Sequence, residues 1–183
     1  MKEKKTTYVG SAIYLGLILV FTIGALTTHA QELGEASAVP EAELKTLTGS
    51  KVELNEQLAD DKHTIISFWA TWCKPCKKEL SNLNYLMPEW KEQFDVELMA
   101  ISLDNAQTSR KVKSYVNGKG WQFDVLLDPN NNTKRKLNFN AIPYSIIVNK
   151  DGKVIYKHSG YKSGDEYEME DKLKEVQMTG ESE

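Results

Sequence analysis

The sequence predicts an α/β fold built as one domain around a single sheet, and three observations carry that expectation. Strand-like and helix-like hydrophobic periods alternate from about residue 42 to residue 176. A chain of 183 residues with 40% hydrophobic composition can bury one good core and is short for two. No internal repeat or low-complexity tract interrupts the alternation.

Each element follows from local pattern. Ala42 to Leu54 forms a hairpin around Thr48-Gly49-Ser50, with Leu44, Leu47, Val52 and Leu54 on its two arms. His63 to Ala70, His-Thr-Ile-Ile-Ser-Phe-Trp-Ala, is a short β-branched and aromatic run suited to a buried central strand. From Cys73 to Phe94, Leu80, Leu83, Leu86, Met87, Trp90 and Phe94 recur at three-to-four spacing, which predicts an amphipathic helix that Pro88 should bend. Val96 to Leu103 is another strand. Asn105 to Asn117 is expected as a helix ended by Gly118. Val125 to Leu127 is a short strand, and Asp128-Pro129-Asn130 turns into a helix over Asn131 to Leu137. Tyr144 to Val148 and Val154 to His158 pair around Asn149-Lys150-Asp151-Gly152, whose Asp-Gly is a strong hairpin signal. Asp165 to Val176 closes the domain as a helix with Tyr167, Leu173 and Val176 facing inward.

Ahead of these elements, Lys2, Lys4 and Lys5 precede an uncharged run from Val9 to Leu26. A positive flank before an apolar run is an export signal. As a helix the run is roughly 27 Å long, just enough to cross a bilayer. Thr28 and Ala30 place small residues at a passable cleavage site before Gln31, so residues 1–30 are expected to be either a signal peptide or a membrane anchor. Residues 31–39 follow as a polar linker, 40–178 as the domain and 179–183 as a tail. No cysteine stands directly after the apolar run, which excludes a cysteine-linked lipid anchor. The lysine flank belongs on the cytoplasmic side, which puts the domain outside the cytoplasm, with membrane contact only through residues 9–26. There disulfides can persist. Residues 1–30 carry three lysines and one glutamate, so the remainder holds 20 basic and 25 acidic residues and gives no sign of a nucleic-acid partner.

The chain contains two cysteines, Cys73 and Cys76, within Trp-Cys-Lys-Pro-Cys-Lys-Lys-Glu. A structural disulfide there would close only a four-residue stretch and constrain little of the unfolded chain. A structural zinc needs four ligands, whereas His29 lies in the export segment and His63 and His158 are isolated. A redox pair needs one exposed, acidic thiol and a second within reach. Cys73 stands where a strand ends and a helix opens, so free backbone N-H groups and the positive end of the helix dipole face its sulfur, with Lys74, Lys77 and Lys78 nearby. Cys76 sits one turn on, along the same face. Pro75 costs the first turn little, because its missing N-H would be unpaired anyway.

Phe68-Trp-Ala-Thr-Trp-Cys-Lys-Pro-Cys-Lys-Lys-Glu79 resembles the active-site segment of the thioredoxin fold, in particular the extracytoplasmic TlpA, ResA and DsbE type of thiol-disulfide oxidoreductase. Ala141-Ile142-Pro143-Tyr144 stands where that family carries a cis-proline, and residues 105–117 match a helical insertion of the subgroup. The resemblance runs from about Val39 to Val176. It implies a central mixed β-sheet flanked by helices, with an N-terminal hairpin. It further implies that Cys73 attacks and Cys76 resolves, that Pro143 is cis, and that Ile142 turns its backbone toward the substrate. Trp72 and Pro75, beside the cysteines, join Ile142 and Pro143 as substrate-contacting positions, and Trp69 packs inward. Where thioredoxin has an acidic residue under the cysteine pair, this chain has Ser67. Glu79, one turn beyond Cys76, matches an acidic residue of the ResA-like subgroup associated with proton transfer; the alternative is a solvated glutamate that only favours the helix dipole.

The expected function is thiol-disulfide exchange with protein disulfides outside the cytoplasm. Reduction is the favoured direction, apocytochrome c is one candidate substrate, and a membrane electron donor of the thiol-reducing pathway would restore the dithiol. No cofactor and no resident metal are expected. Two other readings stay open: a net disulfide oxidant, and a tethered thiol module delivering copper, with His158 as the only remote further ligand.

Overall fold

The strand expected at the centre of the sheet lies there. A computed structural model describes residues 37–179, and the predicted export segment lies outside the described residues. Strands β1 (Glu43–Thr46), β2 (Lys51–Glu53), β3 (His63–Trp69), β4 (Val96–Ser102), β5 (Asp124–Leu127), β6 (Tyr144–Val148) and β7 (Val154–Ser159) form one mixed sheet in the order β2-β1-β5-β4-β3-β6-β7. β3 runs parallel to β4 and antiparallel to β6, and β4 runs parallel to β5; the flanking pairs are antiparallel. Every residue of β3 is buried, which explains its nearly continuous apolar sequence. Ser37 to Val39, at the end of the segment expected as linker, bonds against Gly152 to Val154.

Helix α1 (Lys74–Phe94) runs unbroken through Pro88 and packs Leu83, Met87, Trp90 and Phe94 against Ile65, Leu98 and Ile147. Helix α2 (Val112–Lys119) buries Val112 and Val116, helix α3 is a single short segment (Asn132–Lys136), and helix α4 (Asp165–Thr179) adds Met169 and Leu173 to the same cluster as α1. Alternation along β3 sends Ile66 and Phe68 to the other face, where Met99, Ile101, Phe139, Ile146 and Val148 complete a second cluster.

Three local expectations are corrected. Helix α2 ends at Gly120, which takes φ 64°, and Gly118 is one of its internal residues. The segment before it is not helical from Asn105, because the Asn105 carboxamide oxygen accepts from Gln107 N and Thr108 N and holds a turn there; a 3-10 turn over Ser109–Lys111 leads into the helix instead. Tyr167 is 60% exposed, and the inward positions of α4 are Met169, Leu173 and Val176.

Candidate functional site

The site forms where β3 leaves the sheet. After Trp69 the chain turns through Ala70, whose carbonyl accepts from Cys73 N, and Cys73 becomes the N-cap of α1 in extended conformation, φ −84° and ψ 104°. Cys73 and Cys76 are joined in a disulfide, with Cα atoms 5.4 Å apart. Cys76 N donates to Cys73 Sγ at 3.3 Å, so one of the free N-H groups of the helix start is spent on the sulfur. That is the field expected around Cys73 from its place at the helix start. Its exposure differs from the expectation: in the disulfide Cys73 is only 5% accessible and Cys76 0%. The Ile142 carbonyl oxygen lies 3.9 Å from Cys73 Sγ and helps cover it.

The Ile142-Pro143 peptide is cis, and Pro143 O accepts from Gly160 N, which ties this loop to the end of β7. Trp72 is 65% exposed beside the disulfide, whereas Trp69 is wholly buried against Tyr115 and Trp121, with ring centroids 5.8 and 5.1 Å away. Trp72 and Ile142 share the wall of one groove of about 520 Å³, and Pro75 lines another of about 270 Å³ on the helix side. Of the seven residues singled out from the sequence, Cys73 and Cys76 form the disulfide, Trp72, Pro75, Ile142 and Pro143 stand around it, and Glu79 lies below it.

Glu79 is not the solvated glutamate of the alternative reading. It lies in the second turn of α1, is 1% exposed, and points under the cysteines toward the sheet. Ser67 Oγ donates to one of its carboxylate oxygens at 2.9 Å and Ser145 Oγ to the other at 3.0 Å. Ser67 and Ser145 are directly paired across β3 and β6. Burial pushes the Glu79 carboxyl up to about 7, and the two serine hydroxyls hold it from rising further. The carboxyl at this level thus comes from the helix, and the strand supplies its hydrogen-bond donors. His158, the remote candidate for a further metal ligand, faces Asp165 at 3.2 Å and Glu168 at 3.5 Å.

Sequence reasoning missed Asp104 and Ser145. Asp104, fully buried just past β4, accepts from Thr71 N at 2.7 Å, Thr71 Oγ1 at 2.6 Å and Ser102 Oγ at 2.9 Å, pinning the turn that presents Trp72 and Cys73. Lys77 Nζ donates to Thr71 O at 3.0 Å from the other side. An aspartate directly after the strand Val96 to Leu103 was the available signal.

Comparison with known proteins agrees with this geometry. The AhpC/TSA family model matches residues 36–157. The thiol-disulfide oxidoreductase ResA of Bacillus anthracis is 35% identical over 122 residues, covering 67% of this chain and 68% of that protein. ResA of Bacillus subtilis is 28% identical over 158 residues, covering 85% and 86%. Among solved structures, an uncharacterized thioredoxin-like protein from Porphyromonas gingivalis superposes with a TM-score of 0.70 at 39% identity, covering 78% of this chain and 93% of that one. The seven-stranded mixed sheet with its flanking helices is accordingly a thioredoxin-like fold, the Cys73-Cys76 pair has the spacing of a redox centre, and the chain is a thiol-disulfide oxidoreductase. The chain belongs to the AhpC/TSA family of thioredoxin-like proteins, and within it to the ResA-type thiol-disulfide oxidoreductases.

Proposed function

We propose that this oxidoreductase works as a reductant of protein disulfides outside the cytoplasm, with Cys73 as nucleophile and Cys76 as resolving thiol. The observation that carries the assignment is the placement of Cys73 at the N-cap, with Cys76 N aimed at its sulfur. That N-H and the helix dipole stabilise a thiolate at Cys73, while the sulfur of Cys76 has no accessible surface from which to meet a partner. In the dithiol state the Cys73 thiolate attacks one sulfur of a substrate disulfide, and the other substrate sulfur leaves as a thiolate and takes a proton. Cys76 then loses its proton and attacks Cys73 Sγ. The second substrate thiol departs, and two electrons have passed to the substrate. The Cys73-Cys76 disulfide is the end state. Glu79, one turn from Cys76 and held near neutral pKa, is suited to take that proton; Ser67 and Ser145 keep its carboxylate oriented.

Trp72, Pro75, Ile142 and Pro143 form the surface on which the substrate chain lies, the Ile142 carbonyl being next to the attacking sulfur. A protein dithiol donor at the membrane closes the cycle, and apocytochrome c is one substrate with the required closely spaced cysteines. The Val9 to Leu26 run supports export or anchoring, and no helix among the described residues is long and apolar enough to cross a membrane. Capture of mixed disulfides in cells with Cys76→Ser tests the scheme: substrates held covalently at Cys73 are the expected result. Full turnover by Cys73→Ser, or a redox potential and oxidant activity matching disulfide-forming proteins, would defeat it.

A further inference from the structure

Charge is distributed unevenly around the disulfide. The chain as a whole carries a formal charge of −3, yet three grooves that meet at the cysteine turn contain no aspartate or glutamate in their walls. They contain five lysines. Lys74, Lys78 and Lys162 line the groove on the helix side around Pro75, Lys134 lies in the groove shared by Trp72 and Ile142, and Lys111 in the groove between Trp72 and Tyr115. Among the described residues none of these five is in an ion pair, whereas Lys51, Lys62, Lys91, Lys172 and Lys174 are paired with carboxylates elsewhere on the surface. The lysines come from α1, α3, the 3-10 turn before α2 and the loop after β7, so they encircle the site rather than follow one helix. The acidic side chains nearest that loop are engaged internally: Asp165 accepts from Lys162 N and faces His158, and Glu166 is buried and bonded to Asn82.

We propose that this unpaired lysine collar selects substrate segments in which the reactive cysteine is flanked by aspartate or glutamate. Proton and electron flow are those of the exchange already described, on which this inference rests; the collar adds long-range attraction and register. Acidic residues on either side of the substrate cysteine meet Lys74, Lys78 and Lys162 in one groove and Lys134 or Lys111 in the others, while lysine-flanked cysteines are repelled from both sides. The effect is electrostatic over several ångströms and is therefore sensitive to ionic strength, the screening length being about 10 Å at 0.1 M salt.

The test uses the full chain reduced to the dithiol, and three peptides of equal length whose single cysteine is disulfide-linked to 2-nitro-5-thiobenzoate and flanked by aspartates, serines or lysines. Attack breaks the bond to the dye, which leaves as a coloured thiolate. At low salt the aspartate peptide should react about tenfold faster than the lysine peptide, within the range that electrostatic steering provides, and the two rates should converge at about 1 M salt. In the triple variant Lys74→Glu, Lys134→Glu, Lys162→Glu the aspartate-to-lysine ratio should fall to one or below; being a ratio within one preparation, it is insensitive to partial loss of folded protein. Equal rates for all three peptides, or faster reaction of the lysine peptide, would overturn the collar reading while leaving thiol exchange intact. Failure of all three peptides to react would overturn the exchange reading and this one with it. Equal peptide rates together with sedimentation on phosphatidylglycerol vesicles, lost in the triple variant, would assign the collar to an anionic membrane surface and overturn the proposal.

Discussion

Ser67 donates a 2.9 Å hydrogen bond to Glu79, joining the middle of the central strand to the helix that carries both cysteines. The bond lies in the buried layer beneath the disulfide, where Ser145 completes the coordination of the carboxylate from the neighbouring strand. The ionisation of Glu79 at this level of the fold is thus set by burial and tuned by two hydroxyls.

Glu79→Gln isolates that ionisation. The native carboxyl is raised from 4.5 to about 7, so between those values the folded state holds a proton that the unfolded state has already lost. The stability this confers is fully present below pH 4.5 and is lost as pH rises through 7. The slope is about 1.4 kcal/mol for each pH step of one, and the whole effect about 3 kcal/mol as an upper figure. Urea unfolding should show this slope in the native protein and its absence in Glu79→Gln, which should be the more stable of the two above pH 7. A parallel slope in both proteins would contradict the assignment. Exchange by the variant should also lose its inflection near pH 7.

The serine pair can be removed while the carboxyl stays. Ser67→Ala with Ser145→Ala leaves the buried carboxylate without its two hydroxyls, and its pKa should rise further because only the neutral acid tolerates the site. The inflection in the pH profile of exchange should shift upward accordingly. An unchanged or lowered inflection would show that the hydroxyls do not act on Glu79.

Asp104 offers a test of the turn rather than of the chemistry. Asp104→Ala strands Thr71 N and the Ser102 hydroxyl in a buried setting, which should cost about 1–3 kcal/mol of stability. Exchange should slow as well, since Thr71 precedes Trp72 and Cys73 directly. The unfolding midpoint and the exchange rate measured on one preparation check both effects.

The two tryptophans flanking the turn should separate cleanly. Trp69→Ala removes a fully buried indole and should destabilise by about 3–5 kcal/mol. Trp72→Ala removes one that is 65% exposed and should change stability by about 0.5 kcal/mol or less, while weakening exchange with protein substrates. A large stability loss in Trp72→Ala would mean that it packs inward in solution.

Much of the fold was legible because local pattern and tertiary setting agree. The run His-Thr-Ile-Ile-Ser-Phe-Trp is buried throughout, and Leu80, Leu83, Met87, Trp90 and Phe94 form the inner face of α1. Local pattern failed where a side chain competes with the helix. The Asn105 carboxamide captures two N-H groups and delays α2, and Gly118 proved an internal residue because the left-handed conformation that ends the helix falls at Gly120. Tyr167 was misplaced because an acidic, weakly amphipathic helix start leaves the inward face undefined until Met169.

By itself the sequence determined the redox pair and its helix-opening position, since both follow from residue spacing and the physics of a helix N-terminus. Only the tertiary structure decided what lies beneath and around that pair. Glu79 became an acid near neutrality because packing against β3 and β6 buries it, with Ser67 and Ser145 limiting the rise, and five lysines from four separate segments became one collar because those segments converge on the cysteine turn. Burial and electrostatic potential are sums over neighbours in space, and those neighbours are supplied by the sheet's register and its crossovers.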